Sequence, residues 1–399
     1  MIKVILKKGR EESLRRFHPW VFSGAVAQII GEPAEGDIVA VYASDGSFLA
    51  TGHYQIGSIA VRVLSFDSDV LSPDFWETML SRALRERVAL GLHREGSDTS
   101  CYRLVHGEGD NLPGLIIDWY DGVCVMQAHS AGMFRARLQI AEALKAVYGD
   151  SLKAVYDKSS GTAPFKAGLD LVDGYIYRRP GFNDDDQIVS EYGHRFIVSW
   201  TEGQKTGFFL DQRENRRLVE QRYAAGRNVL NLFCYTGGFS IYALAGGAVH
   251  VDSVDSSRKA MELVGRNVAL NGFSASQHTG VCGDAMDFLK TVPADRYDMM
   301  IVDPPAFAKH RGALHNALRA YQRLNAAAIS RVAPGGLVFT YSCSQVVDKE
   351  TFALTVFSAA AQTGRSVRIL DRLNQPADHP VNIYHPEGEY LKGLLLYVE

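Results

Sequence analysis

The chain has 399 residues, of which 46% are hydrophobic and 22% charged, and its formal net charge is −3. This length allows two or three domains with their own cores, and the composition excludes a disordered chain. No apolar run reaches the roughly 18 residues of a membrane span, and the N-terminus lacks the apolar core of a signal peptide. Five scattered cysteines without CxxC spacing predict neither disulfides nor a metal site. We therefore expect a cytoplasmic protein without a metal.

Residues 1–70 contain short β-rich runs separated by Gly, Asp and Ser, which predict a small β-barrel. These runs are Ile2–Leu6, Asp37–Tyr42, Phe48–Thr51 and Ser58–Leu64. Basic side chains outnumber acidic ones in residues 1–20, so this segment either contacts RNA phosphates or simply faces solvent. The candidate RNA contacts are Lys7, Lys8, Arg10, Arg15 and Arg16.

Residues 71–185 mix helical and strand patterns, which predicts a small α+β domain. Apolar residues at helical spacing predict a helix over 74–92. Two apolar runs flank Asp121-Gly122, a strong signal for a two-residue hairpin turn. A second helix is expected near 132–148, with strands near 152–157 and 174–178. The turn-rich stretch 178–187 is the expected domain boundary.

Residues 186–399 alternate between strand and helix patterns, the signature of a doubly wound parallel α/β sheet. The final strand is expected to be antiparallel and inserted, which gives the seven-stranded, Rossmann-like sheet of a class I methyltransferase. The predicted strands lie near Val229–Phe233, Val249–Val254, Gln277–Cys282, Tyr297–Val302, Leu337–Tyr341, Val367–Leu370 and Lys392–Val398.

A glycine turn follows the first of these strands and predicts a nucleotide pocket. The segment 234–240 contains Gly237 and Gly238, which let the backbone approach a ligand closely. Asp255 ends the next strand, where an acid commonly accepts hydrogen bonds from ribose hydroxyls. Asp284 ends the third strand and could bond an adenine amino group. Because no GxGxxG motif is present, these signals favour S-adenosylmethionine over a dinucleotide.

Two short motifs end the fourth and fifth strands, Asp-Pro-Pro at 303–305 and Ser-Cys-Ser at 342–344. Ligands of open α/β sheets bind outside the carboxyl ends of the strands, so both motifs are expected to face one crevice. Cys343 is the candidate nucleophile, because reactive thiolates lie in partly exposed sites. The other cysteines considered are expected to be inert packing: Cys124, Cys234 and Cys282.

This pairing suits methylation of a base carbon. Carbon 5 of cytosine becomes nucleophilic only after a thiolate adds at carbon 6, and loss of the carbon-5 proton later expels the thiol. Asp303 would hydrogen bond ring nitrogen 3 and the amino group during the addition, and the base must first leave its stack. Methyltransferases that act on amino groups use similar acid-Pro-Pro motifs without a thiol.

Five ordered motifs together resemble one family along nearly the whole chain. They are HPWVFSGAV (18–26), KTGFFLDQRENR (205–216), NLFCYTGGFS (231–240), DPPAFAK (303–309) and SCS (342–344). They look like the bacterial large-subunit (23S) rRNA cytosine-5 methyltransferase family, of the RlmI type. The resemblance implies a PUA RNA-binding domain at 1–70, a middle α+β domain at 71–185 and a methyltransferase domain at 186–399.

The resemblance also implies the roles of individual residues. Cys343 would be the nucleophile and Asp303 the assisting acid. The positions assigned to the methyl donor are Asp211, Gln212, Arg213, Asn231, Phe233, Tyr235, Thr236, Gly237, Asp255, Ser256, Asp284, Ala285 and Asp303. Pro304, Pro305 and Lys309 are assigned to the RNA substrate. Residues 208–210 form either one more strand or part of a lid over the donor, and the family match favours the lid.

Several alternatives stay open at this point. Many RNA cytosine-5 enzymes carry a second cysteine where this chain has Ala306. The group that removes the proton from carbon 5 is therefore not identified, and Lys309 or a water molecule are the candidates. The C-terminal stretch 379–393 is expected to be a loop near the substrate rather than a metal cluster. Rival functions are methylation of uracil carbon 5 or an exocyclic amine, a non-catalytic ribosome-assembly factor that binds RNA, and a nicotinamide oxidoreductase. Exposed β edges make a homodimer a further expectation.

Overall fold

The computed structural model describes residues 2–68, 70–94, 96–164, 168–184, 187–308 and 310–399. The chain divides into two compact units. The first contains Met1–Val189, Val198–Phe208 and Ala377–Gly388, and the second contains Ser190–Ile197, Phe209–Pro376 and Glu389–Glu399. The described residues include no helix that is long and apolar enough to cross a membrane.

The first unit begins with a curled six-stranded sheet in the order β2-β6-β5-β4-β1-β3. Its strands are β1 (Ile2–Leu6), β2 (Trp20–Phe22), β3 (Val26–Ile30), β4 (Ile38–Tyr42), β5 (Phe48–Tyr54) and β6 (Ile59–Ser65), with the short helix α1 (Glu12–Arg15) after β1. Alternate residues such as Val4, Val39 and Val61 fill its core. The sequence pattern did not reveal β2 and β3, because β2 has only three residues and a single 3₁₀ turn separates it from β3.

A five-stranded sheet in the order β11-β10-β9-β8-β7 completes the first unit. The strands are β7 (Cys101–His106), β8 (Leu115–Tyr120), β9 (Val123–Ala128), β10 (Ala154–Asp157) and β11 (Gly174–Arg178). Two helices belong to the same region, α2 (Phe75–Ala89) and α3 (Ala131–Tyr148). Asp121 and Gly122 both have positive φ (43° and 101°), as the predicted tight hairpin turn requires. Arg87 is fully buried and binds Asp110 at 2.6 and 2.8 Å.

A two-stranded hairpin, β12 (Gln187–Glu191) and β13 (His194–Val198), precedes the second large sheet. That seven-stranded sheet has the order β16-β15-β14-β17-β18-β20-β19. Its strands are β14 (Asn228–Leu232), β15 (His250–Asp255), β16 (His278–Cys282), β17 (Tyr297–Val302), β18 (Val332–Ser342), β19 (Val367–Asn374) and β20 (Lys392–Val398). β20 pairs antiparallel with both β18 and β19, so the predicted inserted antiparallel strand is confirmed.

One helix, α4 (Arg213–Leu218), precedes this sheet, and the helices that follow connect its parallel strands. They are α5 (Gly238–Ala245), α6 (Arg258–Leu270), α7 (Ala285–Thr291), α8 (Leu314–Arg331) and α9 (Lys349–Thr363). Side-chain oxygens of Ser257 and Asp348 cap α6 and α9 by accepting a backbone N–H of the first turn. The strand order reverses direction between β14 and β17, and ligands of such sheets bind at this switch point.

Candidate active site

The turn between β14 and α5 is bent by three residues in the left-handed region. Phe233, Tyr235 and Gly237 have φ values of 56°, 47° and 87°. Such conformations cost about 1–3 kcal/mol each in non-glycine residues and concentrate at ligand sites. A Cβ on Gly237 would lie 3.2 Å from Val264, so the turn packs closely against α6. The bend directs this loop along the carboxyl edge of the sheet.

Asp255, the last residue of β15, holds this turn in place. Its Oδ2 accepts a hydrogen bond from the Tyr235 N–H at 2.9 Å, and its Oδ1 accepts one from the Ser257 N–H at 2.9 Å. Each carboxylate oxygen has a second lone pair, so ribose hydroxyls can bond to the same group. Asp255 therefore both shapes the glycine turn and offers an acceptor beside it.

Buried polar atoms near this turn fit a polar ligand. The Asn231 side chain donates to Ser240 Oγ at 2.8 Å. Asn231 Oδ1 and Thr236 Oγ1 are buried and have no hydrogen-bond partner among the described residues. Leaving a buried polar atom unpaired costs about 1–3 kcal/mol. The residues present therefore suit a polar donor such as S-adenosylmethionine, which would satisfy such atoms.

The third predicted donor position lies at the N-terminus of α7. Asp284 is exposed, and its Oδ1 caps the helix by accepting from the Asp287 N–H at 3.0 Å. Ser256 is exposed as well, whereas Ala285 is buried. Asp284 thus has a structural role in addition to the predicted contact with adenine.

The segment before α4 is a 3₁₀ turn (Leu210–Gln212), so the alternative of a further strand at 208–210 is wrong. The Tyr390 hydroxyl donates to Asp211 Oδ2 at 2.7 Å. The Gln212 amide donates to Asp303 Oδ2 at 3.0 Å. This segment therefore contacts the acid of the Asp-Pro-Pro motif directly.

A buried carboxylate anchors α4. Glu191 accepts from Arg216 at 2.9 and 2.8 Å and from Arg213 Nε at 3.3 Å. The Tyr242 hydroxyl donates to the same carboxylate at 3.0 Å. Arg213, which the sequence assigned to the donor, is fully buried against this acid. Sequence reasoning missed Glu191, because its partners are 22 and 25 residues away.

The two reactive motifs lie side by side at the sheet edge. β17 and β18 are parallel neighbours with Val302 opposite Thr340, and each motif follows directly at a strand end. Ser344 Oγ donates to the Ala308 carbonyl oxygen at 2.6 Å, which joins the two loops. Cys343 itself is partly exposed. An acid and an accessible thiol are thus available from adjacent strands.

Lys392 is a further residue of this site that sequence reasoning missed. It is the first residue of β20, lies opposite Ser342 and is 5% exposed. Its Nζ donates to the carbonyl oxygens of Ser344 and Tyr390 at 2.6 and 2.7 Å. Burial lowers the pKa of Lys392 to about 8, while the nearby Cys343 acts in the opposite direction. A lysine that opens an otherwise apolar strand, KGLLLYV, was the available signal.

Tyr321 of α8 contacts the Ser-Cys-Ser motif through Ser342. Its hydroxyl accepts a hydrogen bond from Ser342 Oγ at 3.0 Å. Burial raises the pKa of Tyr321 to about 12, and the charges of Cys343 and Asp303 add to this effect. Tyr321 therefore stays a neutral phenol and positions the Ser-Cys-Ser loop.

The other cysteines differ from one another. Cys124 is buried, and burial raises the pKa of its thiol. Cys234 is also buried, and burial, followed by the charge of Asp255, raises the pKa of its thiol. Cys282 is exposed, so the expectation that it packs in the core was wrong, because it lies at the end of the sheet's edge strand β16.

The positions predicted to contact RNA have the following surroundings. All five basic side chains near the N-terminus are exposed: Lys7, Lys8, Arg10, Arg15 and Arg16. Pro305 is exposed and Pro304 is buried. Lys309 lies outside the described residues. An RNA role for these positions stays a prediction.

A seven-stranded α/β sheet with the antiparallel strand β20 inserted between β18 and β19, a glycine turn after β14 and an acid ending β15 is the architecture of class I S-adenosylmethionine-dependent methyltransferases. A family model for S-adenosylmethionine-dependent methyltransferases matches residues 177–396, and one for PUA-like domains matches residues 4–66.

Two curated relatives are similar over nearly the whole chain. Ribosomal RNA large subunit methyltransferase I of Aeromonas hydrophila is 40% identical over 399 residues, covering 98% of each chain. The protein of that name from Klebsiella pneumoniae is 38% identical over 397 residues, covering 98% of this chain and 97% of its own. The chain belongs to the S-adenosylmethionine-dependent methyltransferases and, among them, to the ribosomal RNA large subunit methyltransferase I family.

Solved structures show the same fold. A methyltransferase in complex with SAH is 24% identical and superposes with a TM-score of 0.85 over 100% of both chains. An S-adenosylmethionine-dependent methyltransferase from Streptococcus mutans is 23% identical, with a TM-score of 0.84 over 100% of both chains. The predicted fold class and the predicted cofactor, S-adenosylmethionine, are confirmed.

Proposed function

We propose that this protein methylates carbon 5 of a cytosine in 23S rRNA, in the cytoplasm, through a transient bond between Cys343 and the base. The observation that carries the proposal is the adjacency of Asp303 and Cys343 at the ends of neighbouring parallel strands, with their loops joined by Ser344 and Ala308. The names of the curated relatives support rRNA as the substrate class.

The covalent step begins at the thiol. The Cys343 thiolate adds to carbon 6 of the ring, and the electron pair of the carbon 5–carbon 6 double bond moves to carbon 5. Bound S-adenosylmethionine would supply an electrophilic methyl group, to which carbon 5 bonds with this electron pair while the sulfur keeps the pair of the broken bond. A base then removes the carbon-5 proton, the double bond forms again, and the thiolate leaves.

Lys392 favours the thiolate form of Cys343. Its ammonium group is held close to Cys343 by two carbonyl acceptors, one of them in Ser344, the next residue. A positive charge within about 4–6 Å lowers the pKa of an acid by stabilising its anion. Lys392 therefore acts as a positioning charge for the nucleophile.

Asp303 favours cytosine over uracil. Cytosine presents an amino donor beside ring nitrogen 3, and addition at carbon 6 makes protonation of that nitrogen favourable. A carboxylate accepts hydrogen bonds from both groups. In uracil the carbonyl oxygen 4 replaces the amino group, and two acceptor oxygens would repel each other there. The Gln212 amide donates a hydrogen bond to the Asp303 carboxylate and so helps to fix its orientation.

The test is mass spectrometry of nucleosides from 23S rRNA of a strain that lacks the gene, after incubation with purified protein and S-adenosylmethionine. We expect 5-methylcytidine from the wild type and none from Cys343→Ser. Formation of 5-methyluridine or of N4-methylcytidine would instead support one of the rival base positions. Absence of any methylation, despite binding of the methyl donor, would support a non-catalytic factor.

A further inference from the structure

The C-terminal loop 377–388 carries two histidines that the proposed reaction does not use. His379 is buried, and its Nδ1 lies 3.1 Å from the Asp378 carboxylate. His385 lies instead beside His18, which precedes β2, and beside Glu387. One potential ligand atom from each of His18, His385 and Glu387 lies within 4.8 Å of the other two. All three residues belong to the first unit.

His385 indicates that this cluster binds a ligand. Its side chain is 4% exposed, and neither ring nitrogen has a hydrogen-bond partner among the described residues. Buried polar atoms in folded proteins nearly always have a partner, because leaving one unpaired costs about 1–3 kcal/mol. The His385 ring packs edge-on against Trp20, with ring centroids 4.3 Å apart, so its position is fixed.

The spacing of the cluster is close to that of a metal site. His385 Nε2 lies 3.8 Å from Glu387 Oε2. A tetrahedral zinc ion with bonds of about 2.0–2.2 Å separates its ligand atoms by about 3.4 Å. The side chain of Glu387 is 56% exposed and can rotate to shorten the remaining distances.

His18 can present a lone pair to the same point. The Trp20 backbone N–H donates to His18 Nδ1 at 3.2 Å, and the Trp20 carbonyl oxygen lies 3.4 Å from the same nitrogen. Metal binding through Nε2 requires the tautomer with its proton on Nδ1, which exchanges the bond from the Trp20 N–H for one donated to the Trp20 carbonyl oxygen. Metal-bound histidines usually donate their second ring N–H to a carbonyl or carboxylate in this way.

We propose that His18, His385 and Glu387 bind a divalent transition-metal ion, with zinc as the favoured ion, and that the ion fixes loop 377–388 to the N-terminal sheet. Two imidazoles and one carboxylate form a ligand set that zinc accepts, with a fourth position for water. The nearby Arg62 guanidinium is paired with Glu108 at 2.7 Å, which offsets its repulsion of a cation.

The experiment titrates metal-free, full-length protein with Co²⁺, followed by Zn²⁺. A background with both Cys282→Ser and Cys343→Ser removes the exposed and the partly exposed thiol as competing ligands. We expect one Co²⁺ per chain, with visible d–d absorption of nitrogen and oxygen ligation that Zn²⁺ abolishes. Glu387→Gln and His18→Gln should each weaken binding at least about tenfold, while the exposed controls Glu389→Gln and His315→Gln should leave it unchanged.

Two results would overturn the site. One is the absence of saturable Co²⁺ absorption in the parent protein, and the other is equal affinity in the ligand variants and the controls. Because Glu387 is exposed, its substitution should not unfold the protein, and melting curves of the metal-free variants verify this. Metal should also raise the melting temperature of the parent and not that of Glu387→Gln.

Discussion

Two cysteines follow parallel strands of the same sheet, and they differ in burial and in the charged groups nearby. Cys234 lies two residues beyond β14, is buried against Met261 and has Asp255 nearby, so the pKa of its thiol is raised. Cys343 lies directly beyond β18, is partly exposed and has the ammonium group of Lys392 nearby. A position at the carboxyl edge therefore does not make a thiol a nucleophile, because charge and access decide its reactivity.

The largest expected difference is catalytic. Cys343→Ser should lower the methylation rate by at least about 10³-fold, because a covalent intermediate can no longer form. Cys234→Ser should change the rate only a few-fold, since a buried thiol of raised pKa does not react. Single-turnover rates with rRNA measure both variants. Equal losses of methylation rate in the two variants would show that Cys343 is no more important for catalysis than Cys234.

Asp303→Asn should reduce the rate by about 10²-fold, because an amide cannot stabilise a protonated ring as a carboxylate does. The affinity for S-adenosylmethionine, measured by calorimetry, should fall much less than the rate. Asp371→Asn, at an exposed position of β19, is the matched control for loss of one carboxylate. A loss confined to donor affinity would assign Asp303 to the cofactor alone.

The charge of Lys392 should make the reactivity of Cys343 depend on pH. The folded protein loses the Lys392 charge as the pH rises through about 8, so thiolate stabilisation is present below that pH and fades above it. Lys392→Met should therefore shift the rising limb of the rate profile to higher pH. At pH 7.5 the rate should drop about tenfold for each unit by which the thiol pKa rises.

Alkylation gives an independent measurement of the same effect. Iodoacetamide should modify Cys343 with a lower apparent pKa in the parent than in Lys392→Met, and Lys392→Arg should retain most of the difference. A Cys282→Ser background removes the other accessible thiol. Identical alkylation profiles in the Met and Arg variants would show that the Lys392 charge does not act on the thiol.

Asp255→Ala tests the methyl-donor pocket, where Asp255 lies near Cys234. Loss of an acceptor for ribose hydroxyls and of two backbone contacts should weaken S-adenosylmethionine binding about tenfold or more. Asp371→Ala, at an exposed position of the edge strand β19, is the control and should bind nearly as the wild type does. Calorimetric titration distinguishes the two outcomes. Unchanged affinity in Asp255→Ala would remove this residue from the pocket.

The smallest expected effect concerns the N-terminal basic side chains. Lys7→Gln and Arg10→Gln should each reduce the salt dependence of RNA affinity by about one unit of slope or less, because each removes one phosphate contact. Binding measured at several salt concentrations checks this. Lys145→Gln, on α3 and already paired with Glu142, provides the control. Slopes that match the control would assign these side chains to solvent.

The strands and motifs of the sheet could be predicted from sequence because they are local patterns. Continuous apolar runs identified β17 and β18, and the motifs that follow them are contiguous. Lys392 could not be paired with Cys343 in this way, because β20 is inserted beside β18 from 49 residues away. Glu191 was missed for the same reason. The cluster of His18 and His385 joins opposite ends of the chain and has no local signature.

The central claim is that Cys343 bonds to a cytosine ring, and a substrate analogue tests it most directly. RNA that contains 5-fluorocytosine should trap the protein, because fluorine at carbon 5 cannot leave as the proton does. With S-adenosylmethionine present, we predict a denaturation-stable complex whose peptide map places the RNA on Cys343. A complex that forms equally well with Cys343→Ser, or methylation of normal RNA without any trapped complex, would contradict the account.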